Sequence, residues 1–175
     1  MFHAVQSIVL LVFPALVIFG AVQDVISYRI PNWISLALIA GFVLAAGVGL
    51  AAGLPLATVG LNLAVGVGAL VLGIGLFSAG WVGGGDAKLF AAGALWLGWP
   101  ALTGYLAATA LAGGGIAILL FGLRSAFLRP FVSIGPAWLG RLAEPGESVP
   151  YGVAIAIGAL AAFPGSSLAK VVWAL

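Results

Sequence analysis

Six apolar runs, at residues 4–22, 33–53, 56–79, 87–99, 101–123 and 151–172, are separated by stretches of Pro, Gly or charge. Most of them reach the roughly 20 residues a helix needs to cross about 30 Å of hydrocarbon, where the backbone must satisfy its own hydrogen bonds. The chain is therefore expected to be all-α, a single polytopic membrane helix bundle over residues 1–175 with six transmembrane helices. Only 6% of its residues are charged, where a soluble domain carries about 25%, so no soluble second domain fits. The six basic and four acidic residues are scattered singly, which excludes the basic patch that nucleic acid requires. With no cysteine and one histidine, disulfides, cysteine nucleophiles and thiolate metal sites are excluded. Neither a metal nor a cofactor is expected.

Basic residues in short loops stay on the cytoplasmic side. With the N-terminus outside, Arg29, Lys88, Arg124, Arg129 and Arg141 all become cytoplasmic and only Lys170 falls outside. The first run has no Lys or Arg before it and no clear small-residue cleavage site, so it reads as a retained helix rather than a secretory signal. Trp33, Trp81, Trp99, Trp138 and Trp173 fall near the expected helix ends, where an indole buries its ring and keeps its N–H wet. The longest interruption, residues 124–150, mixes Arg124, Arg129, Arg141, Glu144 and Glu147 with Phe127, Phe131, Trp138 and Leu142. It reads as an interfacial loop with a short amphipathic helix.

The chemistry centres on Asp24 and Asp86, the only aspartates. Two crossings separate them, so both return to one side of the membrane. Asp24 is expected about one turn inside the end of the first helix, because Pro31 disfavours helix at Ile30. Asp86 follows three consecutive glycines and begins the fourth run, whose 13 or so residues give only about 20 Å of helix. Such a short crossing sinks Asp86 below the inner surface, and an ionisable group held there is a functional candidate. Non-helical backbone at that depth must be buried in protein or line a wet cavity, so Gly83 and Gly85 are expected to line a site. Helix polarity favours the carboxylate at Asp86, near a helix N-terminus, and the protonated form at Asp24, near a helix C-terminus. Asp86 is accordingly the expected base and Asp24 the expected acid of a hydrolytic pair.

The segment Gln23-Asp24-Val25-Ile26-Ser27-Tyr28-Arg29-Ile30-Pro31-Asn32 resembles the first motif of the type IV prepilin peptidases, an Asp followed at fixed spacing by Ile-Pro-Asn. Gly83-Gly84-Gly85-Asp86-Ala87-Lys88-Leu89 resembles their Gly-x-Gly-Asp box, and Val149-Pro150-Tyr151-Gly152-Val153-Ala154 is similar to a signature that opens their last helix. The resemblance implies a membrane aspartic protease whose catalytic residues are Asp24 and Asp86. It further implies cleavage of prepilin or pseudopilin leaders, after a glycine just before the apolar pilin helix, at the cytoplasmic face of the bacterial inner membrane. Many relatives carry a cytoplasmic domain with paired Cys-x-x-Cys motifs and also methylate the new N-terminus. This sequence lacks both domain and cysteines and resembles the short branch that serves Flp-type, tight-adherence pili.

Neighbouring residues are candidates for support. Lys88 steadies the charge on the dyad or anchors to lipid phosphate, Pro31 and Asn32 cap the second helix, and Tyr151 lends a phenol to the site or sits as an interfacial aromatic. Glu144 and Glu147 read a basic leader or are solvated loop charges, and His3 lies on the outer side, far from the acids. The glycine box is not a phosphate loop, since Lys88 does not directly follow a glycine and no Ser or Thr comes next. Besides membrane lipid, the expected partner is the prepilin substrate; the oligomeric state is not readable. Two other classes remain open: a non-catalytic subunit of a pilus or secretion assembly, and a small proton-coupled transporter. A transporter site belongs near the bilayer midplane in repeated halves, whereas these acids lie at one face and no repeat is evident.

Overall fold

The computed structural model describes residues 2–125 and 137–173, with side chains over 11–125, 138 and 140–170. Every regular element among the described residues is helical, without a strand: α1 (Phe2–Ser27), α2 (Asn32–Ala51), α3 (Leu56–Ser78), α4 (Gly84–Leu123), α5 (Ala137–Leu142), α6 (Tyr151–Ala162), a 3-10 turn (Phe163–Gly165) and α7 (Ser167–Trp173). Four helical stretches are long and apolar enough to cross a membrane: α2, α3, α4 and Tyr151–Lys170; α1 carries a shorter apolar stretch, Leu11–Ser27. The chain is a membrane protein on that ground.

At 40 residues α4 is too long for one crossing, and it is not one straight rod. Gly98 has φ 66° and ψ −175°, backbone that only glycine adopts without strain. In a continuous helix Phe90 and Tyr105 would stand about 22 Å apart. Instead their rings stack with centroids 4.6 Å apart, and the Tyr105 hydroxyl donates to the Phe90 carbonyl at 3.3 Å. Residues 84–97 and 99–123 are thus two arms folded against one another, and the break expected near Trp99-Pro100 falls at Gly98. The inside of this turn is filled by Asn62, whose amide would collide with a Cβ at Gly98. Gly98→Ala is expected to lower stability by about 2 kcal/mol, through positive φ and that collision together. The midpoint of denaturant unfolding in detergent measures it.

The last apolar run also differs from a single helix. Pro164 and Gly165 end α6 in a 3-10 turn, and α7 restarts from Ser166, whose buried hydroxyl accepts the Ala169 N–H at 3.2 Å. A Pro lacks the N–H that continuation needs, and a serine oxygen replaces a lost backbone partner.

Burial follows helix packing. The first arm of α4 is buried over residues 91–98, packed on α3 and α2, while the second arm lies along α6, which in turn packs on α1. Trp96 is fully buried among Phe13, Phe42 and Leu38, and its indole N–H donates to the Leu38 carbonyl at 2.7 Å. A polar atom in the apolar interior requires such a partner. The other tryptophans expected at the rim, Trp33, Trp81, Trp99 and Trp138, are exposed at or beside helix ends. The Trp173 side chain lies outside the described residues, as do Phe127, Arg129 and Phe131 of the expected interfacial loop. A short helix does occur in that loop, as α5.

Candidate active site

The first acid comes from the end of α1. Helix continues to Ser27, so Asp24 sits in the last turn and its carbonyl accepts the Tyr28 N–H at 2.8 Å. The chain then turns through Tyr28 at φ 51°, an uncommon conformation for a bulky residue, and runs extended through Pro31 into α2. Pro31 occupies the N-cap position at φ −61° and ψ 138°, with no side-chain cap. The expected cap is therefore made by proline's fixed backbone alone. Asn32 begins the helix and its amide oxygen accepts from Lys88 Nζ at 2.9 Å.

The second acid begins α4. Gly83 is the N-cap, and Asp86, three residues later, reaches back to the Gly83 backbone as an acidic capping residue does. A Cβ on Gly83 would lie 2.7 Å from Asp86 Oδ2, and one on Gly85 would lie 3.1 Å from Ile30 Cβ. The two glycines thus let the Asp86 carboxyl fold onto its own turn and let that turn press against the Asp24–Asn32 segment. Asp86 Oδ1 is buried with no hydrogen-bond partner among the described residues.

Both acids face one open pocket of about 520 Å³, lined by the Asp24 and Asp86 side chains together with the segments 28–32 and 83–85. Asp24 is only 6% exposed, and its Oδ2 accepts the Gly152 backbone N–H at 2.7 Å. That bond adds a second helix end to the setting of Asp24. Gly152 is the second residue of α6, so Asp24 meets the positive end of a second helix besides the negative end of its own. At Asp24 the two helix ends therefore oppose one another, whereas Asp86 meets only the positive end of α4.

The supporting candidates divide. Gly83, Gly85, Pro31 and Asn32 line the pocket. Lys88 is bonded to Asn32, linking the two motif segments. The Tyr151 ring packs on Gly113 of α4 and is not among the pocket residues; the contact of this motif with the site is its neighbour Gly152. The sequence did not single out Gly152, although it stands in the quoted motif, nor Tyr28. The Tyr28 hydroxyl is buried without a partner among the described residues, and burial, reinforced by Glu147, pushes its ionisation upward, so it remains a neutral phenol. Arg141 lies 5.9 Å from the Tyr28 ring centroid. Arg124 donates to the Leu142 and Ser148 carbonyls, each at 3.0 Å, pinning the segment that carries Arg141 and Glu147. No cluster of three His, Asp or Glu side chains that could hold a metal occurs among the described residues.

Two carboxyls that line one pocket, one with an unpartnered oxygen, beside the unpartnered Tyr28 hydroxyl suit the activation of a water molecule. The type IV leader peptidase family matches residues 11–118 of the chain, a region that holds Asp24, Asp86 and the whole pocket lining but not Tyr151 or Gly152. No curated protein and no solved structure matches it.

Proposed function

Since this chain belongs to the type IV leader peptidase family, we propose that it is an aspartic endopeptidase that removes the leader of type IV prepilins or pseudopilins, with Asp24 and Asp86 as its catalytic pair. The peptidase class rests on the family; the dyad rests on one observation, that the two aspartates, from opposite ends of two helices, line the same pocket. In the reaction one carboxylate takes a proton from water as the water oxygen bonds to the scissile carbonyl carbon. The other carboxyl, protonated, hydrogen-bonds the carbonyl oxygen and then gives its proton to the departing amine as the C–N bond breaks. The products are a leader with a new carboxylate and a pilin with a new amino terminus. The Tyr28 phenol is a further donor within the pocket. The Gly152 N–H and the Gly83 backbone hold the carboxyls in place, which is what orientation requires.

The same reading makes α1, α2, α3, the two arms of α4, and α6 with α7 the six crossings. The N-terminus is outside and the pocket opens at the cytoplasmic face of the bacterial inner membrane. Basic residues at the pocket end support this orientation. A chain without cysteines allows single-cysteine mapping. Arg29→Cys and Trp81→Cys are expected to react with a membrane-impermeant maleimide only from the cytoplasmic side, and Leu56→Cys and Trp99→Cys only from the other. Activity is tested by co-expression with a Flp-type prepilin: a mobility shift, with the new N-terminus sequenced at the leader junction, supports the reading. An unprocessed prepilin contradicts it and favours an assembly subunit.

A further inference from the structure

Beside the aspartate pocket lies a second hollow, of about 550 Å³ and almost wholly apolar. The helices α2 and α3 barely touch each other, and the first arm of α4, which packs on both, forms the floor between them. Leu36 and Ile39 of α2 make one wall, Leu63 and Val67 of α3 the other, and Ala91 and Ala92 the floor. On each of the three helices the lining residues recur at spacings of three and four over two turns, about 10 Å of rise along the membrane normal. The wall side chains are exposed, Leu36 at 64% and Val67 at 59%, whereas the two alanines are buried. The hollow therefore opens sideways into the bilayer.

Resting on the proposed peptidase reading, we propose that this groove seats the apolar helix of the substrate, the segment adjoining the bond that is cut. Two observations favour a helix over a lipid chain. The groove adjoins the aspartate pocket, because Asn32 lines both and its partner Lys88 lines the groove's end. A chain lying in the groove is thus led past the Asn32–Lys88 bridge to the carboxyls. The floor, moreover, is made of alanines, which let the backbone of another helix approach closely. An apolar helix in the groove would fix the register of the polypeptide, so that the bond just outside the membrane falls at Asp24 and Asp86.

The test uses the purified full chain and a full-length Flp-type prepilin in vesicles of phosphatidylethanolamine and phosphatidylglycerol. Leu36→Trp and Val67→Trp narrow the groove at exposed positions without touching the pocket, and are expected to slow processing by about tenfold or more through loss of substrate positioning. Leu72→Trp, on the opposite face of α3, and Leu111→Trp, on the second arm of α4, are likewise at exposed positions and are expected to leave the rate unchanged. A photo-crosslinking residue at Leu36 or Val67, in an Asp86→Asn chain that holds uncut substrate, is expected to capture the prepilin through its apolar segment, and the same residue at Leu72 is not. Normal processing by the two groove variants, or crosslinks to lipid alone, overturns the groove assignment and leaves the peptidase reading standing. No processing by the wild type overturns the peptidase reading instead.

Discussion

Asp24→Asn and Asp86→Asn are each expected to reduce prepilin processing by about 10³-fold or more, the upper part of the range for loss of a positioned general acid or base. Membrane levels should match the wild type. The two substitutions preserve shape while removing the proton-transfer function. In the Asp24→Asn variant the amide oxygen still accepts the Gly152 N–H, the bond that ties α1 to α6 at 2.7 Å. At position 86 an amide still fits against Gly83, where Oδ2 now rests. Neither amide can take a proton from water, and the remaining partner has no second carboxyl to complete the exchange. A gel-shift assay at matched protein levels measures the loss. A variant that keeps processing at the wild-type rate removes its aspartate from the mechanism.

Gly152→Ala is expected to reduce processing by about 10²-fold while the protein still folds, because an error of order 1 Å at a catalytic group carries a penalty of that size. A Cβ there would lie 2.8 Å from Asp24 Oδ2, 2.9 Å from Asp24 Cβ and 3.0 Å from Ile30 Cδ1. Two of those atoms belong to the carboxylate side chain and the third to the loop wall, so accommodation must move the catalytic group. Gly114→Ala is the control, since a Cβ there meets nothing within 4 Å. The two variants compared for processing and for unfolding midpoint separate displacement of the acid from a general packing defect. Wild-type processing by Gly152→Ala would show that the contact does not position Asp24.

Much of this arrangement was legible in the sequence because it is written locally. Helix ends at Pro31, Gly83 and Pro150 follow from backbone rules that concern one or two residues, and they place Asp24 in a last turn and Asp86 in a first. The pairing of the two acids followed from counting crossings. Contacts across long stretches of chain were not legible. Gly152 bonds Asp24 across a separation of 128 residues, and nothing local marks it above its neighbour Tyr151, which carries the polar side chain. The setting of Asp24 was partly hidden for the same reason: the end of its own helix is local, whereas the second helix end appears only on packing. The break at Phe163–Gly165 had a local signal, Pro164 followed by Gly165, that the high hydropathy on either side obscured. The groove between α2 and α3 is a gap between helices and has no sequence signature.

Single-turnover cleavage in water enriched in oxygen-18 tests most directly whether the aspartate pair acts on water. Purified wild-type chain, in excess over a Flp-type prepilin in vesicles, is allowed one round of reaction, and the released leader and the enzyme are analysed by mass spectrometry. Water attacking the scissile carbonyl directly places one oxygen-18 in the new carboxylate of the leader and none in Asp24 or Asp86. A leader carboxylate without the label, with oxygen-18 instead in the peptide carrying Asp24 or Asp86, would mean that an aspartate attacks the substrate itself, and would contradict the water-activating dyad.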